Sequence, residues 1–133
     1  MIQQLAIAVT GQGLYPITRE IQAVVASSDS IDGLCTLFIQ HTSASLLIQE
    51  NYDDSARHDL QQWLNRLVPE GDSLYTHTLE GPDDMPAHIK SMLTATQLSI
   101  PFQNRTLMLG TWQGIYLWEH RHQSGQRQLV IHL

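Results

Sequence analysis

The sequence contains a single cysteine, Cys35, among 133 residues. A lone cysteine cannot form a disulfide within the chain, and its place in an apolar run favours a small buried side chain over a reactive thiol. This usage fits a reducing compartment, so we expect a cytoplasmic protein. No apolar run approaches the roughly 20 residues of a membrane-spanning helix, and the amino terminus lacks the features of a secretory signal. We therefore expect no membrane partner.

Basic residues are also scarce. Seven Lys and Arg stand against 13 Asp and Glu, which gives a formal net charge of −6. A nucleic-acid-binding surface requires a basic face, so the composition excludes a nucleic-acid partner. An anionic ligand must instead be held locally by a few Arg or Lys side chains, by helix N-termini or by a metal ion.

The length allows one hydrophobic core, so residues 1–133 are predicted to form a single domain. Periodicity predicts three short helices, at Arg19–Ala26, Asp54–Leu67 and Pro86–Ala95. The predicted strands are Ile2–Val9, Leu34–Gln40, Ser45–Gln49, Gln97–Pro101, Arg105–Leu109, Gln113–Trp118 and Gln128–His132, with Ser73–Thr78 as a weaker candidate. Closely spaced C-terminal strands indicate antiparallel pairing. We predict an α+β fold: one compact domain with a large, mainly antiparallel, sandwich-like β-sheet.

A polar cluster follows the predicted strand Leu34–Gln40, which has apolar residues on both faces and is expected to be central and covered on both sides. Alternation places His41 at the end of the face that carries Cys35, Leu37 and Ile39. Polar side chains between two buried strands are costly unless they have partners. The connection after Gln40 is therefore the best candidate for a site.

Three of the seven histidines stand in unusual local sequence: His41, His77 and His88. Neutral imidazoles near carboxylates suit a divalent metal such as zinc. Their separations match no short metal-binding motif, so separate structural histidines remain an alternative. Asp84 is expected to cap a helix and to lie near His88, four residues later. His120 and His122 are expected at a solvated polar edge.

A nucleophilic serine is a further alternative, because Ser43 or Ser45 could share a strand face with His41. Nothing resembling a nucleophile elbow surrounds these serines. Hydroxyls that support a ligand are the more economical interpretation.

Several motifs, in order, resemble the YjbQ family, whose members are described as secondary thiamine-phosphate synthases. The matching segments are Gln40–Ser45, Gln49–Asn51 with Asp53, Leu67–Glu70, His77–Lys90, Leu109–Ile115 and Glu119. The resemblance covers nearly the whole chain. It implies a compact α+β fold, a homotrimer and a polar pocket, with a divalent metal, Zn or Mg, as a candidate cofactor.

The resemblance also suggests roles for individual residues. The candidate metal ligands are His41, His77 and His88. The candidate catalytic residues are His41, Ser43, Asp53 and Glu119. The candidate ligand-binding residues are Thr42, Asn51, Asp84, Lys90, Gln113, Arg121 and Arg127.

The activity that the resemblance implies joins a pyrimidine pyrophosphate to a thiazole phosphate and releases pyrophosphate. That reaction needs a cation to stabilise the departing pyrophosphate. A chain of this length cannot form the barrel of the dedicated synthases, so a different physiological substrate stays open. Two alternatives also stay open: a metal-dependent hydrolase of a small phosphorylated or acyl metabolite, and a non-catalytic trimeric metabolite-binding protein.

Overall fold

The computed structural model describes residues 1–133, which form eight strands and three helices. The strands are β1 (Ile2–Val9), β2 (Gly13–Pro16), β3 (Gly33–Ile39), β4 (Ala44–Glu50), β5 (Gln97–Gln103), β6 (Thr106–Leu107), β7 (Gln113–Glu119) and β8 (Gly125–His132). The helices are α1 (Thr18–Ser27), α2 (Asp54–Leu67) and α3 (Asp84–Leu93). None of the three helices has the length and apolar composition of a membrane span.

The strands form two sheets in which every pairing is antiparallel. One sheet has five strands in the order β1-β8-β3-β5-β6, and the other has three in the order β2-β7-β4. The predicted α+β sandwich is confirmed, and β3 is central as expected.

The main core lies between the inner faces of the two sheets. Cys35, Leu37 and Ile39 of β3 are buried there, together with Ile115 and Leu117 of β7. Burial raises the pKa of Cys35 to about 11, so the thiol stays protonated at neutral pH, as its apolar context predicts. Helix α1 adds its apolar stripe to the same core.

Helices α2 and α3 cover the other face of the three-stranded sheet. Leu64 and Val68 pack on Trp118 of β7, and Ile89 of α3 joins them. Asp53 caps α2 by accepting a hydrogen bond from the Ser55 amide at 2.9 Å, so this helix has its predicted bounds.

Some predicted elements are wrong. Helix α3 begins at Asp84, two residues before Pro86, and ends at Leu93. The weaker candidate strand at residues 73–78 is loop, because no neighbouring strand pairs with it.

The outer face of the five-stranded sheet is uncovered, so the prediction that both faces of β3 are covered is wrong for the single chain. Leu34 and Phe38 are 51% and 47% exposed. No Asp, Glu, Lys or Arg stands at an outward position of the four long strands. Those positions hold Ile2, Gln4, Ala6, Ala8, Leu34, Thr36, Phe38, Gln97, Ser99, Pro101, Gln103, Gln126, Gln128, Val130 and His132.

Candidate functional site

The polar connection predicted from the sequence lies at one end of the sandwich, where β3 and β7 end and β4 and β8 begin. Ala44 pairs with Glu119, which brings the β3–β4 connection beside the β7–β8 connection. The His120 amide donates to the Ser43 carbonyl across them at 3.2 Å. Long-range pairing therefore gathers polar residues that are far apart in sequence.

Asp84 is the centre of the cluster at this end. Its carboxylate is buried, and Oδ2 lies 2.8 Å from His77 Nε2 and 3.2 Å from His88 Nε2. One donor atom from each of the three residues lies within 4.8 Å of the others. Asp84 and His88 are four residues apart in α3 and so share one helix face. This cluster of His77, Asp84 and His88 contains two of the three predicted metal ligands.

The protonation of His88 is restricted by the groups around its ring. His88 Nδ1 lies 3.1 Å from the Thr42 carbonyl oxygen, which can only accept a hydrogen bond, so Nδ1 carries a proton. In a neutral ring, Nε2 then presents a lone pair to the Asp84 carboxylate oxygen 3.2 Å away. This contact between two acceptors is repulsive unless a cation lies between them. The cation can be a proton on the ring or a metal ion. Two imidazole nitrogens and one carboxylate oxygen are ligands that a divalent metal accepts, so the donor set fits a metal.

The Ser43 hydroxyl lies beside the same ring. It is buried, and its Oγ is 3.5 Å from His88 Nδ1, the atom that already donates to the Thr42 carbonyl. This contact supports the ring orientation, and it directs the Ser43 hydroxyl to His88, whereas the Ser43 amide contacts His41.

Arg121 fixes the orientation of the Asp84 carboxylate. Its Nη1 donates to Asp84 Oδ1 at 2.8 Å, its Nε donates to Asp83 Oδ2 at 3.1 Å, and its Nη2 donates to the Glu80 carbonyl at 2.7 Å. The hydrogen bond to Asp83 raises the pKa of Arg121. Burial would raise the pKa of Asp83, but hydrogen bonds from Arg121 and the His122 amide outweigh it and lower that pKa. Both groups therefore remain charged at neutral pH.

His41 is near the cluster but does not supply one of its three donor atoms. Its Nδ1 accepts a hydrogen bond from the Ser43 amide at 3.0 Å, so the neutral ring carries its proton on Nε2. Burial lowers the pKa of His41, and the Arg127 charge lowers it further. The geometry therefore puts Asp84, rather than His41, in the third position of the donor set. A catalytic role for neutral His41 stays a prediction.

Glu119 and Arg127 join the two sheets beside His41. Arg127 Nε donates to Glu119 Oε2 at 2.6 Å, and Nη2 donates to Oε1 at 3.0 Å. Glu119 is fully buried. Because arginine engages both of its oxygens, this geometry favours a positioning role for Glu119 over the catalytic role expected from the sequence.

Three predicted site residues, Asn51, Asp53 and Gln113, lie at the opposite end of the three-stranded sheet. Glu50 pairs with Gln113 there, six residues along β7 from Glu119, which corresponds to about 20 Å of strand. Asp53 is fully exposed, and hydrogen bonds from Ser55 lower its pKa as it caps α2. The single chain does not bring these three residues to the His77, Asp84 and His88 cluster.

Lys90 is also outside the cluster. Its side chain is 2% exposed and its Nζ donates to Asn65 Oδ1 of α2 at 2.7 Å. Burial lowers the pKa of Lys90. Lys90 lies about 200° around α3 from His88, so its side chain points away from His77 and His88.

His120 differs from its sequence-based expectation, because it is buried. It is 1% exposed, its Nε2 lies 2.9 Å from the Ser45 hydroxyl, and its Nδ1 has no partner. Burial lowers the pKa of His120 to about 3. The expectation of a solvated edge is wrong for His120 and correct for exposed His122, which pairs with Glu70. The sequence carries a signal for this burial, because strand alternation puts His120 on the same face as Tyr116 and Trp118.

Comparison with known proteins identifies the family. The profile of the family described as "UPF0047 protein YjbQ-like" matches residues 3–133. The chain belongs to this family. The UPF0047 protein sll1880 of Synechocystis sp. is 51% identical over 129 residues, which cover 97% of this chain and 88% of that protein. The UPF0047 protein YjbQ of Escherichia coli O157:H7 is 41% identical over 130 residues, which cover 97% and 94%. The resemblance found in the sequence motifs is confirmed.

Solved structures show the same fold. The conserved hypothetical protein TT1486 from Thermus thermophilus superposes with a TM-score of 0.88 at 31% identity, covering 98% of both chains. A YjbQ/UPF0047 family protein from Clostridium acetobutylicum gives a TM-score of 0.85 at 31% identity, covering 99% of this chain and 98% of that chain. The arrangement of two sheets and three helices is therefore the family's architecture.

Proposed function

We propose that this chain is a metal-dependent enzyme that acts on small phosphorylated metabolites at the His77, Asp84 and His88 cluster. The reaction proposed is the coupling of a pyrimidine pyrophosphate with a thiazole phosphate, in which a ring nitrogen forms a bond to carbon and pyrophosphate leaves. The observation that carries the proposal is the pair of facing acceptors, His88 Nε2 and Asp84 Oδ2. Two imidazole nitrogens and one carboxylate oxygen favour zinc over magnesium.

The chain's own residues supply the rest of the site. A bound divalent ion would contribute positive charge for a departing pyrophosphate, which seven Lys and Arg in the whole chain provide only sparsely. Arg121 holds Asp84 in place through Oδ1 and leaves Oδ2 directed at the histidines. Neutral His41, protonated on Nε2, is a hydrogen-bond donor beside the cluster.

A cavity beside His77 is large enough to hold a small substrate. Its volume is about 300 Å³, the lower end of the range for small-molecule sites. Tyr75, Met85 and Pro82 contribute apolar surface next to His77, and Thr78 and Asp72 contribute polar groups. This mixture suits one heteroaromatic ring with polar substituents.

Hydrolysis of a phosphorylated metabolite is the second candidate. The side chains of His77 and His88 are 54% and 31% exposed, so water reaches these two residues of the cluster. The same purified protein separates the two reactions, because a synthase releases pyrophosphate only when the thiazole phosphate is present. A hydrolase instead releases orthophosphate, by cleaving the phosphoanhydride bond with water, from the pyrimidine pyrophosphate alone.

The assay should use zinc-loaded protein and compare it with Asp84→Asn, which keeps the side-chain shape and removes the charge. His58→Ala is a matched control on the exposed face of α2. We expect thiamine phosphate and pyrophosphate in equal amounts with the wild type and the control, and neither with Asp84→Asn. Equal turnover by Asp84→Asn would refute the proposed site.

The expected homotrimer belongs to the same proposal. A chain with a net charge of −6 repels its copies, but the outer face of the five-stranded sheet carries no Asp, Glu, Lys or Arg. Leu34 and Phe38 are half-exposed at its centre. A sheet face with exposed apolar residues and no charge is suited to contact with another copy.

A further inference from the structure

A second polar cleft lies on the other side of α3 from the histidine cluster. Its volume is about 290 Å³, and Val68 and Pro69 form part of its wall. The polar side chains that line it are Gln12, Asn65, Glu70, Lys90 and His122. Neither His41, His77, Asp84 nor His88 lines this cleft, so it is separate from the proposed metal site.

The Lys90 ammonium in this cleft has an incomplete set of partners. It has three N–H donors, and the structure gives it one acceptor, Asn65 Oδ1 at 2.7 Å. Gln61 Nε2 donates to the same Asn65 oxygen at 3.2 Å. No carboxylate lies within 4.0 Å of Nζ. Buried ammonium groups normally have an ionised partner in direct contact. Lys90 is 2% exposed and has one amide acceptor, and Glu70 and Asp83 act on its charge only from a distance.

The neighbouring residues hold the lysine in position without neutralising it. Asn65 Nδ2 donates to Gln12 Oε1 at 3.1 Å, which fixes the amide so that its oxygen faces Lys90. Glu70 is the nearest lining carboxylate, and its Oε1 is engaged by His122 Nε2 at 2.5 Å. The remaining Lys90 donors are therefore available to a ligand.

The geometry points to a binding site for a phosphate group of a small metabolite in this cleft, with Lys90 Nζ as the principal donor. Phosphate oxygens accept several charge-assisted hydrogen bonds from one ammonium. A phosphate would therefore supply the directly bonded counter-charge that the chain itself does not. The cleft is larger than a phosphate group, so space remains for the rest of the metabolite. This inference does not depend on the proposed function of the histidine cluster.

Inorganic phosphate is the probe, measured by ³¹P NMR line broadening with the full chain and no added divalent metal. We expect saturable broadening with the wild type. Asn65→Asp places a carboxylate beside Nζ and should weaken phosphate binding about tenfold. Glu70→Gln removes an exposed negative charge from the wall and should strengthen binding about twofold. His88→Ala should leave the affinity unchanged.

Unsaturable broadening with the wild type, or an unchanged affinity in Asn65→Asp, would overturn the inference. So would loss of binding in His88→Ala with retention in Asn65→Asp, which would assign the phosphate to the histidine cluster. Circular dichroism checks that each variant folds. If Asn65→Asp does not fold, Lys90→Met, which fills the same space without charge, must abolish binding for the inference to stand.

Discussion

Arg121 Nη1 donates to Asp84 Oδ1 at 2.8 Å, and this leaves the other oxygen of Asp84 to two histidines. The ion pair joins the first residue of α3 to the β7–β8 connection, and its two residues are 37 positions apart in sequence. It fixes the carboxylate before any ligand binds, which is the role of residues that surround metal ligands in proteins.

The first prediction follows from this ion pair. Arg121→Lys keeps the charge but cannot contact Asp83, Asp84 and the Glu80 carbonyl at once. We expect zinc affinity to fall about tenfold, measured by competition with a chromogenic chelator. Arg66→Lys on the exposed face of α2 is the matched control. Equal affinity in both variants would show that Arg121 does not orient the site.

A second prediction concerns the pair Glu119 and Arg127, whose side chains are 0% and 12% exposed. Arg127→Met leaves a buried carboxylate without a partner and should destabilise the fold by about 3 kcal/mol. Adding Glu119→Leu removes that carboxylate and should recover most of the lost stability. Urea unfolding of the two single variants and the double variant measures the coupling. Additive losses would contradict the direct pairing.

A third prediction is the pH dependence due to His120. The folded chain keeps this ring neutral because burial lowers its pKa to about 3, whereas the unfolded chain protonates it below the ordinary histidine pKa of 6.5. Its stabilising contribution is therefore complete above pH 6.5 and declines as pH falls towards 3. Between about pH 6.5 and pH 5 the loss is about 2 kcal/mol.

Urea unfolding at these two pH values tests the His120 prediction. His120→Gln should flatten the dependence by the same amount, while His58→Gln, at an exposed position of α2, should not. Parallel pH curves for the wild type and His120→Gln would refute it.

A fourth prediction concerns assembly. Phe38→Glu places a charge at the centre of the charge-free sheet face, whereas Trp63→Glu changes an aromatic residue of similar exposure on α2. Light scattering after size exclusion should give three times the 15.0 kDa chain mass for the wild type and Trp63→Glu, and a smaller species for Phe38→Glu. A trimeric Phe38→Glu would place the interface elsewhere.

The sequence predicted local features better than long-range contacts. Helix α2 has its predicted bounds because Asp53 caps it and Pro69 follows shortly after its end. In α3, the apolar residues Met92 and Leu93 are exposed, while the charged residue Lys90 is buried. The partner of Lys90 is Asn65, 25 residues away on another helix, and no local pattern specifies that contact.

In the candidate site, too, local features were predicted better than long-range contacts. The motifs containing His77 and His88 were predicted to meet, and they do, because the Asp84–His88 spacing is local and the His77 loop lies just before α3. Asn51, Asp53 and Gln113 belong to other matching motifs, and strand direction carries them to the other end of the sheet. Their separation depends on the β4–β7 register, which the sequence pattern does not specify.

Isothermal titration with Zn²⁺ tests most directly whether His77, Asp84 and His88 form a metal site. We predict one ion per wild-type chain, and a loss of affinity on the order of a hundredfold in Asp84→Asn and in His88→Ala. His58→Ala, on the exposed face of α2, should bind as the wild type does. Absence of binding by the wild type, or equal binding by all four proteins, would contradict the account.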